Sequence, residues 1–334
     1  MAICEADPWR LQYFADVPCP DGVDVPTEDA DAWMWYPGHR WVYNKLAVAQ
    51  SQGIAAAPHG VMPPAFPVFS KPLVNLRGMG TGSREIDSAE AYRRHLSPGH
   101  FWMELLRGDH VSTDVAVCAG QPVWWRHATG IPRRGGTFDH WVVHAEAMPE
   151  IEAACGAWIM AHLPDYTGML NLETIGRRII EVHLRFADQW PDLYGAGWVA
   201  ALVALYATRR WVFDDADRRT GYSVVLFGPN GRRYRHPDAA LLDQLLQRPG
   251  ISSVQITFHE DRDPRLHAMP PGGFRLAIVN CTDLAAGRAA CTMLRAALVQ
   301  TSAATISRPR VRRGSADSAP GRKDLDIGGG DASR

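Results

Sequence analysis

Residues 171–185 read NLETIGRRIIEVHLR: two short runs joined by a turn, each carrying a carboxylate and the second closing on an arginine. If LNLE and IIEVHLR pair as antiparallel strands across TIGRR, side chains alternate between faces, so Glu181, His183 and Arg185 share one face. Glu173 joins them across the ladder. Leu170, Leu172, Ile180, Val182 and Leu184 then fit the opposite, buried face. Two carboxylates this close repel unless a cation lies between them, and hard oxygen ligands suit Mg²⁺, which commonly also binds substrate phosphates. A solvated hairpin with cross-strand Glu–Arg pairs satisfies the same pattern, so the segments upstream have to decide.

The first of these is FPVFSKPLVNLRGMGTGSRE, residues 66–85, where a short apolar strand delivers Lys71 to a loop holding Gly78, Gly80 and Gly82. Glycines let a backbone curl so that several N–H groups face one anion, and a lysine adds a point charge to the same phosphate. The lysine precedes the glycines, so this is not the GxxxxGK[ST] arrangement, and a flexible hairpin loop remains the other reading. The second is FWMELLRG, residues 101–108, in which Glu104 ends an apolar strand just before Leu105 and Leu106. A purine fits between apolar side chains with backbone groups at its edge, and a nearby carboxylate can accept from ribose hydroxyls.

Composition excludes several classes. Lysine plus arginine total 35 and aspartate plus glutamate 36 in 334 residues, so no global field draws the chain to nucleic acid or an anionic membrane. The start, MAICEADPWR, has no signal-peptide apolar run, and no later window approaches a membrane span, which predicts a cytoplasmic protein. The six cysteines form no CxxC pair and are expected as small buried residues. His110, His127, His140 and His144 have no zinc-ligand spacing, and Ser112 lacks a GxSxG elbow. Trp124, Trp125 and Trp141 are expected in a core or a pocket wall.

Along the chain, residues 1–40 are rich in Asp, Pro and Trp and read as an irregular arm, while 301–334 have almost nothing to bury and read as a disordered tail. Between them, NKLAVAQSQG, SAEAYRRHL, MPEIEAACGAWIMAHL and GWVAALVALYATRRWVF have helical spacing. FPVFSK, HFWMELLRG, HVSTDVAVCAG, QPVWWRHAT, the hairpin, SVVLFG and SVQITFH read as strands, and FRLAIVNCTDLAAGRAACTMLRAAL as a strand followed by a helix. Helices packed on mostly antiparallel strands make an α+β fold.

In order, the pieces are NK (44–45), PVFSKP with GMGTGS (67–83), WMELLRG (102–108), YTGMLNLE (166–173) and IIEVHLRFADQWPDLYG (179–195). This series resembles the ATP-grasp superfamily, most of all its biotin carboxylase and carboxylate–amine ligase branch, over about residues 45–210. The resemblance implies two α+β subdomains gripping ATP, with a nucleotide-binding domain over 41–210 and a C-terminal α/β segment over 211–300. It implies that Lys45 and Lys71 hold ATP phosphates, that Gly78, Gly80 and Gly82 form the lid, and that Glu104 and Leu106 border the nucleotide. It makes Glu173 and Glu181 the Mg²⁺ ligands and Arg185 the catalytic arginine at the transferring group.

Two departures stand out. His183 occupies the position of an asparagine ligand; a ring nitrogen in place of a carbonyl oxygen shifts preference towards Mn²⁺ or leaves the metal to the two glutamates. The first 40 residues are expected to be too few for the N-terminal substrate domain usual in such ligases, so the acceptor site is expected from the C-terminal segment or from a partner protein, or the chain no longer catalyses ligation. The implied activity is an ATP- and Mg²⁺-dependent ligation of a small carboxylate and an amine. The rival is a nucleotide-binding regulatory or scaffold protein of the same fold, and biotin-dependent carboxylation is disfavoured because most of the C-terminal carboxylase region is lacking. Arg232, Arg233 and Arg235 are expected to face water.

Overall fold

The computed structural model describes residues 5–76, 80–133, 136–267, 270, 272–298 and 300–301. Beyond Thr301, the tail expected to be disordered therefore lies outside the described residues. So does Gly78.

The strands, all paired antiparallel, form two main sheets. A four-stranded sheet runs in the order β1 (Ala56–Pro58), β4 (His100–Glu104), β2 (Val68–Pro72), β3 (Arg84–Ile86). Helices α3 (Lys45–Ser51) and α4 (Ala89–Arg94) belong to this part of the chain. The larger sheet has eight strands, in the order β12 (Ile251–Ile256), β13 (Phe274–Cys281), β10 (Gly221–Gly228), β7 (Thr137–Val143), β6 (Gln121–Arg133), β5 (His110–Cys118), β8 (Gly168–Ile175), β9 (Arg178–His183). A two-residue ladder joins β11 (Arg233–Tyr234) to β14 (Gln300–Thr301). The expected boundary near residue 210 separates no sheet, because β10 pairs directly with β7.

One face of the large sheet is the hydrophobic seam that the hairpin's alternation requires. Val111, Val115, Val117, Leu170, Leu172, Val182 and Leu184 pack against Ile151, Cys155, Trp158 and Ile159 of α5 (Pro149–His162) and Val48 of α3. Ile180, expected in this seam, is not in it. A β-bulge between Glu173 and Thr174 sets Thr174 opposite Ile179, so Ile179 takes the core position at 1% exposure. Ile180 turns instead towards Phe101, Met103 and Leu106, between the two sheets.

The opposite face is polar around the hairpin and becomes an aromatic core further along. Trp124, Trp141, Trp190, Tyr194 and Phe186 pack there with Trp198 and Leu202 of α6 (Trp198–Thr208). The third core lies between β10, β13 and α8 (Leu284–Ala297), beside α7 (Ala239–Leu246).

The N-terminal arm is more ordered than its composition predicts. It contains α1 (Pro8–Leu11) and α2 (Asp29–Trp35), and it buries Phe14 and Val25 in the tryptophan-rich core and Ala32 in the seam beneath the hairpin. Segments this rich in Asp and Pro hold few local apolar contacts; here the body of the protein supplies them. Among the described residues, no helix is long and apolar enough to cross a membrane.

Candidate functional site

Backbone register brings the hairpin carboxylates together. Glu173 stands directly opposite Glu181, Asn171 opposite His183, and on the other side of β8 Glu173 faces Ser112 and Asn171 faces Asp114. Directly paired residues share a face, so these side chains form one polar band across β5, β8 and β9. His110, at the start of β5, donates through Nε2 to Glu173 Oε2 at 3.1 Å and stacks edge-on against Phe138 and Trp141. Burial opposes ionisation of Glu173, but the hydrogen bond and charge of His110 outweigh it and lower the carboxyl below its usual range.

Lysines reach this band from two directions. Asn44 caps α3, its Oδ1 accepting from Ala47 N–H at 3.1 Å, and so sets Lys45 at the first helical position, where its Nζ meets Glu181 Oε1 at 2.6 Å. Gln52, just past the helix, bonds both the N–H and the carbonyl of Ile179 at 2.8 Å, tying α3 to β9. Lys71 comes from β2. Its ammonium donates to the Ile180 carbonyl at 2.7 Å, 5.8 Å from the Phe101 ring centroid. Burial, reinforced by the charge of Lys45 and partly offset by Glu181 and Glu173, pushes Lys71 down to about 8.

The remaining predicted residues are less converged. Gly80 and Gly82, in the loop between β2 and β3, have φ of +59° and +82°, the left-handed region that favours glycine. A side chain at Gly82 would come within 3.3 Å of His100 and Pro72. Glu104 is exposed at the end of β4, while Leu106 packs beside Phe101 and Met103. Arg232, Arg233 and Arg235 are exposed, as expected.

His183 has a carboxylate partner that the sequence did not show. Its Nδ1 donates to both oxygens of Asp29, at 3.0 and 2.9 Å, and its Nε2 lies 3.7 Å from Glu181 Oε1. Burial and Arg185 disfavour a charged ring, but Asp29 more than offsets them and raises its pKa. With Nδ1 committed to Asp29, His183 lies between two carboxylates and only Nε2 remains to face Glu181. The same Asp29 takes the fork of Arg185, with Nε to Oδ1 at 3.1 Å and Nη2 to Oδ2 at 3.2 Å, and accepts from the Tyr43 hydroxyl at 3.3 Å. Burial would raise the Asp29 pKa, yet Arg185 and His183 hold it far below the usual carboxylate range.

Sequence reasoning missed Asp29, Tyr43, His110 and Asp114. Asp114 is buried behind the hairpin, where it accepts from Asn171 Nδ2 at 2.7 Å, Ala187 N–H at 2.9 Å and the Tyr194 hydroxyl at 2.8 Å. Burial pushes its carboxyl up to about 6 against those donors. It thus pins the segment that follows Arg185.

The donor set fits Mg²⁺ only in part. Among the described residues, no three His, Cys, Asp or Glu side chains are grouped to hold a metal ion. Glu173 and Glu181 offer paired carboxylates on one face, which suits an ion that commonly takes one or two carboxylates together with substrate phosphates.

No family model matches the sequence, and no curated protein matches it. Solved structures do match the fold. The L-amino acid ligase of Bacillus licheniformis superposes with a TM-score of 0.55 at 13% identity, over 78% of this chain and 72% of that one. Phosphoribosylamine–glycine ligase of Thermotoga maritima gives 0.55 at 15% identity, over 86% and 85%. The carboxyaminoimidazole ribonucleotide synthase of Aspergillus clavatus, solved in complex with ATP, gives 0.54 at 11% identity, over 80% and 78%. The chain therefore shares the ATP-grasp fold of these structures.

Proposed function

We propose that the chain is an ATP- and Mg²⁺-dependent ligase-like enzyme that activates a small carboxylate as an acyl phosphate for attack by an amine or another nucleophile. The observation that carries this reading is the convergence of Lys45 and Lys71 with Glu173 and Glu181 beside the hairpin. Two cations and two carboxylates delivered by α3, β2, β8 and β9 are the groups that a nucleoside triphosphate with its counter-ion requires.

In this reading Lys45 and Lys71 bind phosphate oxygens, with the glycine loop over them, while Glu104 and Leu106 border the nucleoside. Glu173 and Glu181 would hold Mg²⁺, which when bound neutralises phosphate charge. The γ-phosphoryl bond to ADP breaks as a carboxylate oxygen bonds to phosphorus. The amine then attacks the acyl carbon, phosphate leaves, and the ammonium proton passes to solvent. Such transfers are accelerated mainly by positioning and charge stabilisation. Arg185 would supply stabilising charge at the transferring group. The test is ADP release by the full chain with Mg²⁺, ATP and a mixture of amino acids and small carboxylates; no release with any of them refutes the ligase reading.

A second reading, a non-catalytic nucleotide-binding protein, is favoured by one observation: Asp29 engages both His183 and Arg185. Thermal stabilisation by Mg·ATP without ADP release would select it.

A further inference from the structure

Each nitrogen of the Arg185 guanidinium has a partner. Asp29 takes Nε and Nη2, and the Phe186 carbonyl takes Nη1 at 3.0 Å. A bidentate guanidinium–carboxylate pair of this kind has the geometry with which arginine also holds a substrate carboxylate or phosphate, so one anion excludes the other from the fork. The occupant belongs to the N-terminal arm. It is buried at 4% exposure and completed by His183 and the Tyr43 hydroxyl.

The arm makes a second clasp of opposite polarity three residues further on. Arg10 donates to Asp188 at 3.0 Å while gathering Glu5, Asp7 and Glu28 around itself. Phe14 lies edge-on to Phe186 between the two clasps. The segment 185–188 is therefore covered by the arm through reciprocal ion pairs, with a single aromatic contact between them. Lys45 and Lys71 are likewise engaged from within, by Glu181 and by the Ile180 carbonyl.

We propose that Asp29 is a built-in competitor for the anion position at Arg185, so that the arm closes the site in the free protein and is displaced when an anionic ligand binds. The proposal rests on the ligase-type reading only for the identity of the ligand; the competition itself needs only an anion. A ligand that binds the open form alone has its affinity reduced by the fraction of chains that are open, so an arm open in one chain in ten weakens binding about tenfold.

The test uses the full chain. Calorimetric titration with Mg·ATP should show Asp29→Asn binding about tenfold tighter than the natural chain; where the natural chain binds Mg·ATP, equal or weaker binding by the variant overturns the proposal and makes Asp29 a positioning residue for Arg185. Hydrogen exchange on the unsubstituted chain needs no variant to fold: backbone amides of residues 5–36 should exchange faster when Mg·ATP is saturating, and unchanged or slower exchange overturns it. Inorganic pyrophosphate separates the two readings, since it needs the cations and not the nucleoside wall. If Mg·ATP binds neither chain, the ligase reading fails. Tighter pyrophosphate binding by Asp29→Asn would then still support the competitor, and equal or weaker binding would refute it.

Discussion

Replacing Lys71 with methionine tests the site through stability rather than turnover. Lys71 is 5% exposed and its folded-state pKa is about 8, against an ordinary 10.5. At about 1.4 kcal/mol per pH unit, that separation corresponds to about 3 kcal/mol of destabilisation at pH 7. Methionine is of similar length and removes this penalty. It leaves the Ile180 carbonyl without the donor it has at 2.7 Å, at a cost of about 1 kcal/mol. Lys71→Met should therefore be about 2 kcal/mol more stable than the natural chain at pH 7.

The sign of the pH dependence follows from the same separation. Between pH 8 and 10.5 the unfolded chain keeps a proton on Lys71 that the folded chain has released, so the contribution of Lys71 to stability rises with pH. Buried thiols such as Cys155, raised to about 12, act the other way, because they ionise first in the unfolded chain. The difference between the two proteins cancels that background. Urea denaturation followed by tryptophan fluorescence from pH 7 to 9.5 should show the advantage of the methionine variant shrinking as pH rises. A less stable variant with a parallel pH profile would refute the claim that Lys71 is a cation held without sufficient counter-charge. The same variant should lose Mg·ATP binding under the proposed function, trading affinity for stability.

Other outcomes are equally open to measurement. Glu181→Gln should abolish Mg²⁺-dependent ADP release while circular dichroism stays native; loss of the Lys45 partner should cost about 1–3 kcal/mol in denaturation, and full turnover would rule out the metal role. Gly120→Ala should destabilise by about 2–5 kcal/mol, since φ there is +73° and the added carbon would meet the Pro164 carbonyl oxygen at 2.4 Å. A neutral effect would show that this turn can relax. Trp198→Ala, at the centre of the aromatic core with 0% exposure, should lose about 3–5 kcal/mol by urea titration.

Much of this architecture is legible from local chemistry. Period-two alternation in HVSTDVAVCAG and helical spacing in MPEIEAACGAWIMAHL correspond to β5 and α5 because each segment's own apolar positions choose its face. The hairpin's alternation likewise placed Glu181 opposite Glu173, since two-residue periodicity follows from strand geometry alone. Strand β7 was not legible. TFDHWVV has no clean alternation, because β10, arriving from almost eighty residues further along the chain, pairs with it and decides with β6 what each side chain meets.

The sequence by itself therefore determined most of the short segments that become strands and helices, the α+β class, and the carboxylate pair on one strand face. These follow from periodicities within a dozen residues. Only the tertiary structure decided the charge state and partners of that face. The bulge that moved Ile180 out of the core depends on how β9 meets β8, and the pairing of His183 and Arg185 with Asp29 spans 154 residues for the histidine. Electrostatic partners act through space and leave no periodic trace, so a histidine that reads as a metal ligand in the sequence has its pKa raised once a buried carboxylate is folded against it.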